Sequence, residues 1–527
     1  MAQPRFTSWN TSDPGLDHLW RKVVINTVQD FGLRDLDHRI TTIGPAWLRD
    51  HVHELKGYKY FGRDMFTGLE FFFRHQFEDG QFPDFFIPVG DQHVPFVTDP
   101  FKRTDEATQE VFMRIPVEAD LEYLAVEGVY QAWKASGNLE WVKRQLPVLE
   151  AGLHYITTDK YRWNEEHQLI MRPHTVDTWD FTFFYDDDHF LTNCEIRRLD
   201  DSTPMCLFHG DNSGLYSAYR MLAEIHRALN SDTVAQDYEE QASLLKQRTN
   251  DLLWGDGFYT HMLHLDKETA ERYPDERQRL SLSNSYDVNR GITDQQQSVS
   301  IVDTFRSRWL EKKDRYIAEW FTIDPPYNEK IAFFDPEQYV NGGLFGAVAG
   351  ELAKAALQHG REEYGVDILR RYYDFVKDKN DIGFMWYPDG RGYGGGPIGW
   401  CGAAVVMAMM EGLAGIVDTA SEFETVELSP RWVAAGIDQA DITAHYPSSD
   451  AYFHTKYQKE DNTLRLEWTG TAKQVELKLL LPGDARPLQV LNNQKPLDYC
   501  IQTVEQSNYL QATTQGPSGS ILVQFSE

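Results

Sequence analysis

Four segments of the sequence combine aromatic and acidic residues within a few positions, and this combination suits the binding of a sugar. They are Trp47-Leu48-Arg49-Asp50, residues 79–86, Trp179-Asp180-Phe181 and Trp386-Tyr387-Pro388-Asp389. A pyranose has an apolar C–H face that stacks on an aromatic ring, and its hydroxyls exchange hydrogen bonds with carboxylates, arginine and asparagine. An aromatic residue near a helix end can also simply close a core, but four such segments together favour a carbohydrate site.

The elements that must position these segments are predicted to be helices from Leu16 to about Ile416. Apolar residues recur there at spacings of three and four in segments too long for strands, the pattern of amphipathic helices. The segments are residues 151–156, 215–229, 233–253, 344–357 and 402–416. Helices alternate with aromatic and glycine-rich loops, which is typical of a toroid of paired helices whose loops gather at one end. Loops held by a rigid scaffold carry binding residues, so we expect a pocket at that end.

The pattern changes from Phe423 onward to the alternation of apolar and polar residues that is typical of strands. It is clearest in residues 464–468 and 475–479, and Pro482-Gly483 marks a turn to the next strand. We therefore predict a mainly α protein with two domains that pack together. The helical domain covers residues 1–420, and an antiparallel β-sandwich of roughly 100 residues, an ordinary domain size, covers residues 421–527.

The motifs, taken in their order along the chain, resemble a known group of enzymes. Residues 174–180, followed by a predicted helix over residues 211–229, resemble the trehalase, glucoamylase and processing α-glucosidase group of (α/α)6-barrel glycosidases. Residues 76–83 resemble the Gln-x-x-Asp-Gly-x-x-Pro signature of that group, and residues 253–259 and 400–416 resemble the barrel of α-L-rhamnosidases. The resemblance covers roughly residues 16–527. It implies an (α/α)6 toroid barrel followed by a smaller antiparallel β-sandwich, and glycosidase activity.

The resemblance implies a general acid directly after a tryptophan, which in this chain is Asp180 after Trp179. An inverting glycosidase pairs this acid with a second carboxylate about 6.5 to 9.5 Å away, so that a water molecule fits between them. Trp179 and Phe181 would desolvate Asp180 and raise its pKa, as a general acid near neutral pH requires. Asp177, three residues earlier, is the competing candidate.

The general base of the resembling families is a Glu just upstream of the tryptophan-bearing last helix. The corresponding segment here, near residues 383–390, contains no Glu. Asp389 lies in this segment and is slightly favoured. Glu337 is the alternative, because it precedes a loop ending in Asn341-Gly342-Gly343 that resembles a loop lining related pockets. A third alternative is attack by inorganic phosphate, as in the related disaccharide phosphorylases.

Further residues are expected to contact the sugar. Arg49 and Asp50 resemble a pair that clamps the hydroxyls of the terminal sugar, and tryptophans are expected to stack on it. Acidic residues at the start of the helix after residue 120 could bond hydroxyls, or only favour the helix dipole. The candidate binding residues are Arg49, Asp50, Trp47, Glu118, Asp120, His174, Asp177, Trp179, Asn341, Trp386 and Trp400.

Together these features predict an exo-acting, inverting glycoside hydrolase that removes a terminal sugar, with an α-linked glucoside or a rhamnoside-like compound as the expected substrate class. Three alternatives stay open on the same fold. They are a glycoside phosphorylase, a sugar epimerase that depends on His174 instead of paired carboxylates, and a glycan-binding protein without catalysis. A phosphorylase depends on phosphate. An epimerase releases no free sugar from a glycoside, and a binding protein shows no turnover at all.

Composition argues against other partners. With 81 acidic and 51 basic residues the formal net charge is −30, which repels phosphate backbones and anionic lipids. We therefore expect a carbohydrate substrate, no nucleic acid and no membrane. No nucleotide-binding glycine motif or nucleophile elbow is present, and the histidines near Arg49 show no zinc-site spacing, so neither a cofactor nor a metal is expected. The N-terminus lacks the apolar run of a signal peptide, which predicts a cytoplasmic protein, or a secreted one if such a peptide was removed.

Overall fold

The computed structural model describes residues 6–29, 34–36, 39–41, 46–90, 101–179, 199–331, 334–380 and 382–525. Its α-helices are α1 (Pro14–Gln29), α2 (Leu48–Tyr58), α3 (Thr67–Phe73), α4 (Leu121–Ser136), α5 (Leu139–Thr158), α6 (His209–Ala228), α7 (Asp232–Leu253), α8 (Lys267–Arg272), α9 (Ser283–Arg290), α10 (Gln295–Lys312), α11 (Gly346–Gln358), α12 (Glu362–Val376), α13 (Gly399–Met407) and α14 (Trp432–Ala435). A π-helical segment, Ala408–Leu413, continues α13, and a short 3-10 helix covers Glu276–Gln278.

The strands fall into short pieces between the helices and longer pieces near the C-terminus. They are β1 (Ser8–Thr11), β2 (Arg34–Leu36), β3 (Arg39–Thr41), β4 (Ala46–Trp47), β5 (Phe85–Pro88), β6 (Lys102–Asp105), β7 (Glu110–Met113), β8 (Trp163–Asn164), β9 (Leu169–Pro173), β10 (Met205–Phe208), β11 (Met262–His264), β12 (Leu280–Ser281), β13 (Ile323–Asp324), β14 (Leu344–Phe345), β15 (Gly383–Trp386), β16 (Gly392–Pro397), β17 (Ile416–Asp418), β18 (Thr425–Leu428), β19 (Gln439–Tyr446), β20 (Ala451–Glu460), β21 (Thr463–Gly470), β22 (Gln474–Leu480), β23 (Pro487–Asn492), β24 (Lys495–Pro496), β25 (Cys500–Val504), β26 (Ser507–Gln515) and β27 (Ser518–Phe525).

Among the described residues, six helices pack against one another in a ring. They are α2, α4, α6, α9, α11 and α13, each contacting the next in this order, and α13 returns to contact α2. Other helices lie against this ring: α5 on α4, α7 on α6, α12 on α11 and α1 on α13, while α10 contacts both α9 and α11. The chain therefore alternates between ring helices and helices that cover them.

The residue pattern of each helix matches its layer. In the covering helix α7 the buried residues form a stripe at spacings of three, four and seven, namely Ala235, Ala242, Leu245, Thr249 and Leu253. A single apolar stripe is what a helix with one face in solvent requires. The ring helix α13 is buried along its whole length, and its sequence, Gly-Trp-Cys-Gly-Ala-Ala-Val-Val-Met, is apolar on all sides.

Close packing within the ring depends on small residues. A Cβ added at Gly57 of α2 would lie 2.7 Å from the Cα of Ala403 in α13. A Cβ at Gly350 of α11 would lie 2.3 Å from the carbonyl carbon of Ala404. Real Cβ atoms do not approach backbone this closely, so these two glycines let α2 and α11 pack directly on α13.

Small antiparallel sheets connect the helices. One sheet has the order β4-β5-β7-β6, a second β11-β10-β9-β8 and a third β14-β15-β16. Strand β4 leads directly into α2 and strand β10 into α6. Strand β9 leads into residues 174–179, one of the segments with predicted site residues.

The C-terminal part consists of two larger sheets that share a core with the helices. One sheet has the order β1-β19-β20-β21-β27-β23-β24 and the other β17-β18-β22-β26-β25. Pairing is antiparallel except between β18 and β22, which are parallel. Strand β1 pairs with β19, with Ser8 opposite Thr443, so the start of the chain contributes to the C-terminal sheet.

The predicted order of a helical part followed by an antiparallel β part is confirmed. The predicted helix over residues 233–253 corresponds to α7, and the predicted strand segments lie in β21 and β22. No helix within the described ranges is both long enough and apolar enough to cross a bilayer.

Candidate functional site

A cavity opens at the centre of the ring, near the N-terminal ends of α2, α4 and α13. Its lining comprises Arg49, His53, Asp120, Tyr123, Leu124, Thr178, Leu282, Ser283, Tyr286, Arg290 and Trp400. A second cavity, of about 250 Å³, lies toward the other end of the ring and is lined by Lys56, Lys59 and Glu411. Tyr286 and Arg290 border both cavities, so these two side chains form the floor that separates them.

Arg49 is the centre of a buried charge cluster on one wall of the cavity. Its Nε donates to Oδ2 of Asp120 over 2.6 Å, and its Nη2 donates to Glu118. Nη1 lies 4.0 Å from Oδ1 of Asp84. The side chain is buried, and bidentate contact with carboxylates fixes the plane of the guanidinium. The sequence alone does not indicate that these groups meet, because the three acidic partners of Arg49 come from two separate segments.

The pKa values of the two carboxyls beside Arg49 shift in opposite directions. Burial raises the pKa of Glu118, and the charges of Asp120 and Asp84 raise it further, against the opposing effect of Arg49. Burial would also raise the pKa of Asp120, but the charge and hydrogen bond of Arg49 lower it well below its usual range. Glu118 is therefore protonated more readily than Asp120, which is ionised, so the two carboxyls on this wall are not equivalent.

The opposite wall is aromatic. The rings of His53 and Trp400 are stacked, with centroids 4.3 Å apart and planes 6° apart. The indole Nε1 of Trp400 donates to the hydroxyl of Tyr286 over 3.1 Å. Burial lowers the pKa of His53, and the neighbouring positive charges of Lys56 and Arg290 lower it further, so this imidazole is neutral. The wall thus presents an uncharged face on which the C–H face of a sugar ring can stack.

Asp177 lies beside the cavity with a strained backbone, since its φ is 50°. It is buried, and its carboxylate accepts hydrogen bonds from the backbone N–H of Ser283 over 3.1 Å and from that of Thr178 over 2.7 Å. The Ser283 hydroxyl donates to it as well. Non-glycine residues in this conformation are uncommon and cluster at functional sites.

A buried chain of polar groups supports Asp177 from behind. Nδ1 of His209 lies 2.5 Å from Oδ2 of Asp287, and Nε2 of His209 lies 2.9 Å from Oγ of Ser281. Burial would raise the pKa of Asp177, but the charge of His209 and hydrogen bonds from Ser281 and Ser283 lower it. Asp177 is therefore ionised in this structure.

Asp211 is the buried carboxyl with a pKa close to neutrality. It lies in the first turn of α6, where burial raises its pKa to about 6 against the opposing effect of Arg172. The charges of Asp120 and Asp177 raise it further. Its Oδ1 lies 3.4 Å from Nη1 of Arg172. This group connects the Arg49 cluster with the Asp177 loop.

Several predicted binding residues support the cavity from a distance. Trp47 stacks on Phe85, with centroids 4.4 Å apart, and Asp50 follows Arg49 in the first turn of α2. Asn341 is buried and holds its own loop, accepting from the backbone N–H of Tyr327 over 2.8 Å. Trp179 packs against Tyr339, Phe345 and Phe384, which leaves Thr178 facing the cavity.

The other predicted catalytic and stacking residues lie apart from the described lining of the cavity. Asp389 is exposed, and its Oδ2 lies 2.7 Å from Nε of Arg391. Glu337 forms an ion pair with Arg315. The ring of Trp386 packs on Phe375 of α12, with centroids 4.8 Å apart. Asp180 lies outside the described residues.

The sequence analysis missed eight residues of the lining: His53, Tyr123, Leu124, Thr178, Leu282, Ser283, Tyr286 and Arg290. A signal for some of them exists in the sequence. His53 follows Arg49 by four positions on α2, and Tyr286 and Arg290 follow Ser283 by three and seven on α9, spacings that place residues on one helix face. Polar residues on a face that is otherwise buried are typical of a binding surface.

A scan against protein-family models and a search of curated proteins give no match. Solved structures with similar folds include glycoside hydrolases. A GH78 family rhamnosidase of Bacillus sp. GL1 is 15% identical with a TM-score of 0.60, over 90% of this chain and 43% of that one. An α-L-rhamnosidase from Dictyoglumus thermophilum is 10% identical with a TM-score of 0.60, over 99% of this chain and 51% of that one.

A smaller relative matches over its whole length. The GH63 mannosylglycerate hydrolase from Thermus thermophilus, in complex with glucose, is 14% identical with a TM-score of 0.50, over 74% of this chain and 99% of that one. This chain spans about half the length of the rhamnosidases it matches. The expected likeness in fold to glycoside hydrolases is therefore confirmed.

Proposed function

We propose that this chain is an exo-acting glycoside hydrolase that removes a terminal sugar with inversion of configuration, and that its ring of helices is an (α/α)6 barrel. One observation carries the proposal. The central cavity has a floor formed by Tyr286 and Arg290, a wall of Arg49 with paired carboxyls and a facing wall of stacked rings. The open space within the described lining is about 20 Å³, room for about one water molecule, so a terminal sugar enters this cup only if the walls move apart.

Each wall has a role in sugar binding. Arg49 and Asp120 bond adjacent hydroxyls, and Glu118 holds the guanidinium of Arg49 in place from behind. Trp400 stacks on the apolar face of the ring, held in place by its bond to Tyr286. These groups recognise a neutral sugar, since a carboxylate on the substrate would be repelled by the acidic residues around Arg49.

The proposed general acid is Asp180, with Asp177 as the competing candidate. Asp177 is ionised and accepts several hydrogen bonds, which suits a group that positions the loop or polarises water. A general acid must instead carry a proton at working pH. Asp180 follows the buried ring of Trp179 along the chain, and this proximity would favour its protonated form.

The proposed general base is Asp389, with Glu337 as the alternative. The backbone and side chain of Arg391 lower the pKa of Asp389 and keep it ionised, the state that accepts a proton from water. Because the turn between β15 and β16 holds it away from the described cavity lining, the proposal requires this turn to close when substrate binds.

The decisive experiment follows wild-type protein with α-L-rhamnosides, α-glucosides and mannosylglycerate, reading the product anomer by NMR. We expect release of free sugar with inversion, and a loss of about 100-fold or more in kcat for Asp180→Asn on an unactivated glycoside. Asp201→Asn is the matched control, because Asp201 is an exposed carboxylate of the same region. Absence of turnover across the panel would refute the proposal, and a stronger loss in Asp177→Asn would transfer the acid role to Asp177.

A phosphorylase is the second candidate, because neither proposed base lines the described part of the cavity. In that reaction phosphate oxygen forms the new bond to the anomeric carbon while the glycosidic bond breaks. Turnover measured with and without inorganic phosphate separates the two: strict phosphate dependence with release of a sugar phosphate assigns the phosphorylase.

A further inference from the structure

A cluster of three potential metal ligands lies behind the loop that carries Asp177. His174 follows β9, His264 ends β11, and Glu276 begins the short 3-10 helix. One donor atom from each side chain lies within 4.8 Å of the donors of the other two. The imidazole rings of His174 and His264 are nearly perpendicular, with centroids 4.7 Å apart. This is the one such group found among the described residues.

The described protein groups do not explain how the buried imidazole of His264 is satisfied. Its side chain is only 4% exposed, yet neither ring nitrogen has a hydrogen-bond partner within the part of the chain that the structure describes. Nε2 lies 3.9 Å from Oε1 of Glu276, too far for a hydrogen bond. Buried polar groups normally find partners, and a metal ion between the two atoms would supply one.

Glu276 is fixed by groups on its far side. Its Oε2 accepts from Nδ1 of His261 over 2.6 Å, and the hydroxyl of Tyr327 donates to the carboxylate over 2.8 Å. Nε2 of His261 in turn accepts from the backbone N–H of Asp177 over 2.8 Å. His261 therefore uses both nitrogens and orients the carboxylate, as an outer group does for a metal-ligating residue.

We propose that His174, His264 and Glu276 bind a divalent transition-metal ion, with zinc as the best match. Two imidazole nitrogens and one carboxylate oxygen form a ligand set typical of Zn²⁺, with water in the fourth position. Ligand atoms on a tetrahedral zinc are about 3.4 Å apart, so small side-chain rotations close the present separations. The proposal differs from the expectation of no metal drawn from the sequence, which sees no spacing pattern because the ligands come from three separate elements.

The ion would have a structural role. It would join the start of the Asp177 loop to β11 and the 3-10 helix, while His261 links the same cluster to the backbone of Asp177. The inference does not depend on the proposed hydrolase activity, because metal binding is measured directly.

The test uses the full chain, stripped with chelator and titrated with Zn²⁺ by calorimetry and with Co²⁺ by visible absorption. We expect about one ion per chain and a tetrahedral Co²⁺ band, with binding weakened by more than about 100-fold in His264→Ala. His154→Ala is the matched control, because this histidine lies on the exposed face of α5 and should leave binding unchanged.

The test also covers the case in which the His264→Ala variant does not fold. If His264→Ala fails to give native near-ultraviolet circular dichroism, His264→Gln replaces it, since glutamine fills similar volume without an imidazole. Wild-type protein that shows neither Zn²⁺ binding nor a Co²⁺ band overturns the proposal, and so does a folded His264 variant with undiminished affinity. Loss of hydrolysis with zinc binding intact would count against the proposed function alone.

Discussion

Nδ1 of His209 lies 2.5 Å from Oδ2 of Asp287, and both side chains are buried at the junction of α6 and α9. Burial alone would lower the pKa of His209, but the charge and hydrogen bond of Asp287 raise it above its usual value. A protonated imidazole donates at both nitrogens, which frees the Ser281 hydroxyl to donate to Asp177. Asp287 thus favours the charged form of His209, and that charge in turn lowers the pKa of Asp177.

Replacing Asp287 with Asn should lower the pKa of His209. Without the negative charge the pKa of His209 should fall below 6.5, its ordinary value, because the largest effects that oppose burial are removed and only the smaller ones of Asp177 and Asp211 remain. The measurement is an NMR titration of the His209 imidazole, with the signal assigned by its absence in His209→Asn. Substrate turnover should fall by about 10- to 100-fold, because the Asp177 loop shifts.

A second His–Asp pair provides the control for this titration. His454 lies 3.7 Å from the carboxylate of Asp441 on the β sheet. Asp441→Asn should leave the titration of His209 unchanged. An Asp287→Asn protein in which His209 still titrates above 6.5 would show that Asp287 does not set its charge.

Truncation of Arg49 should be strongly destabilising. Arg49→Ala leaves Asp120, Glu118 and Asp84 buried without their shared cation, and breaking a buried ion pair costs about 3–5 kcal/mol. Urea denaturation at pH 7 measures the free energy of unfolding. Arg465→Ala is the control, because the Arg465–Glu467 pair is exposed and such pairs contribute little. Equal small losses in both variants would show that the Arg49 cluster carries no stability.

The helices were predictable because their signal is local. The stripe of α7 repeats within one segment, so the sequence alone marks it. Boundaries were less certain where tertiary contacts intervene. Leu344 and Phe345 fit the apolar pattern of the helix that follows, but they pair with Trp386 and Met385 in a sheet, and α11 begins only at Gly346.

Closure of the ring and pairing of distant segments were not predictable from periodicity. Nothing in the short segment Ser8–Thr11 indicates that it pairs with β19 near the other end of the chain. The same limit applies to the Arg49 cluster, whose acidic partners are distant in sequence. Periodicity reports which face of an element is apolar, not which element covers it.

The orientation of Trp386 shows why its predicted role in stacking on the sugar could not be read from the motif alone. Strand β15 pairs with β16 through two register shifts, one between Gly383 and Met385 and one at Trp386. Such irregularities re-aim side chains, so simple alternation fails. Phe384 packs toward Trp179, while Trp386 packs toward Phe375 on α12.

Trp400 and Trp386, two of the four tryptophans predicted to bind sugar, should therefore behave differently. Trp400→Phe should raise KM about 2- to 10-fold, because it removes part of the stacking surface and the bond to Tyr286. Trp386→Phe should leave KM unchanged, because its ring lies against α12. Steady-state kinetics on the substrate found in the panel makes the comparison. A larger KM effect at Trp386 would contradict the assignment of the aromatic wall to Trp400.

The raised pKa of Asp211 predicts how stability varies with pH. Between its ordinary value of 3.8 and about 6, the unfolded chain has released this proton and the native chain still holds it. The contribution of Asp211 to the free energy of unfolding therefore falls as pH rises through this window, by about 3 kcal/mol for a shift of about two units.

Asp211→Asn abolishes this titration, so the unfolding free energy of the variant minus that of wild type should increase from pH 4 to pH 7. Urea denaturation at the two pH values tests this. Asp201→Asn should leave this difference nearly constant between pH 4 and pH 7, because hydrogen bonds from Lys160 and Tyr161 lower the pKa of Asp201 and its contribution therefore changes only at more acidic pH. A difference for Asp211→Asn that is constant with pH would show that this carboxyl ionises normally in the native protein.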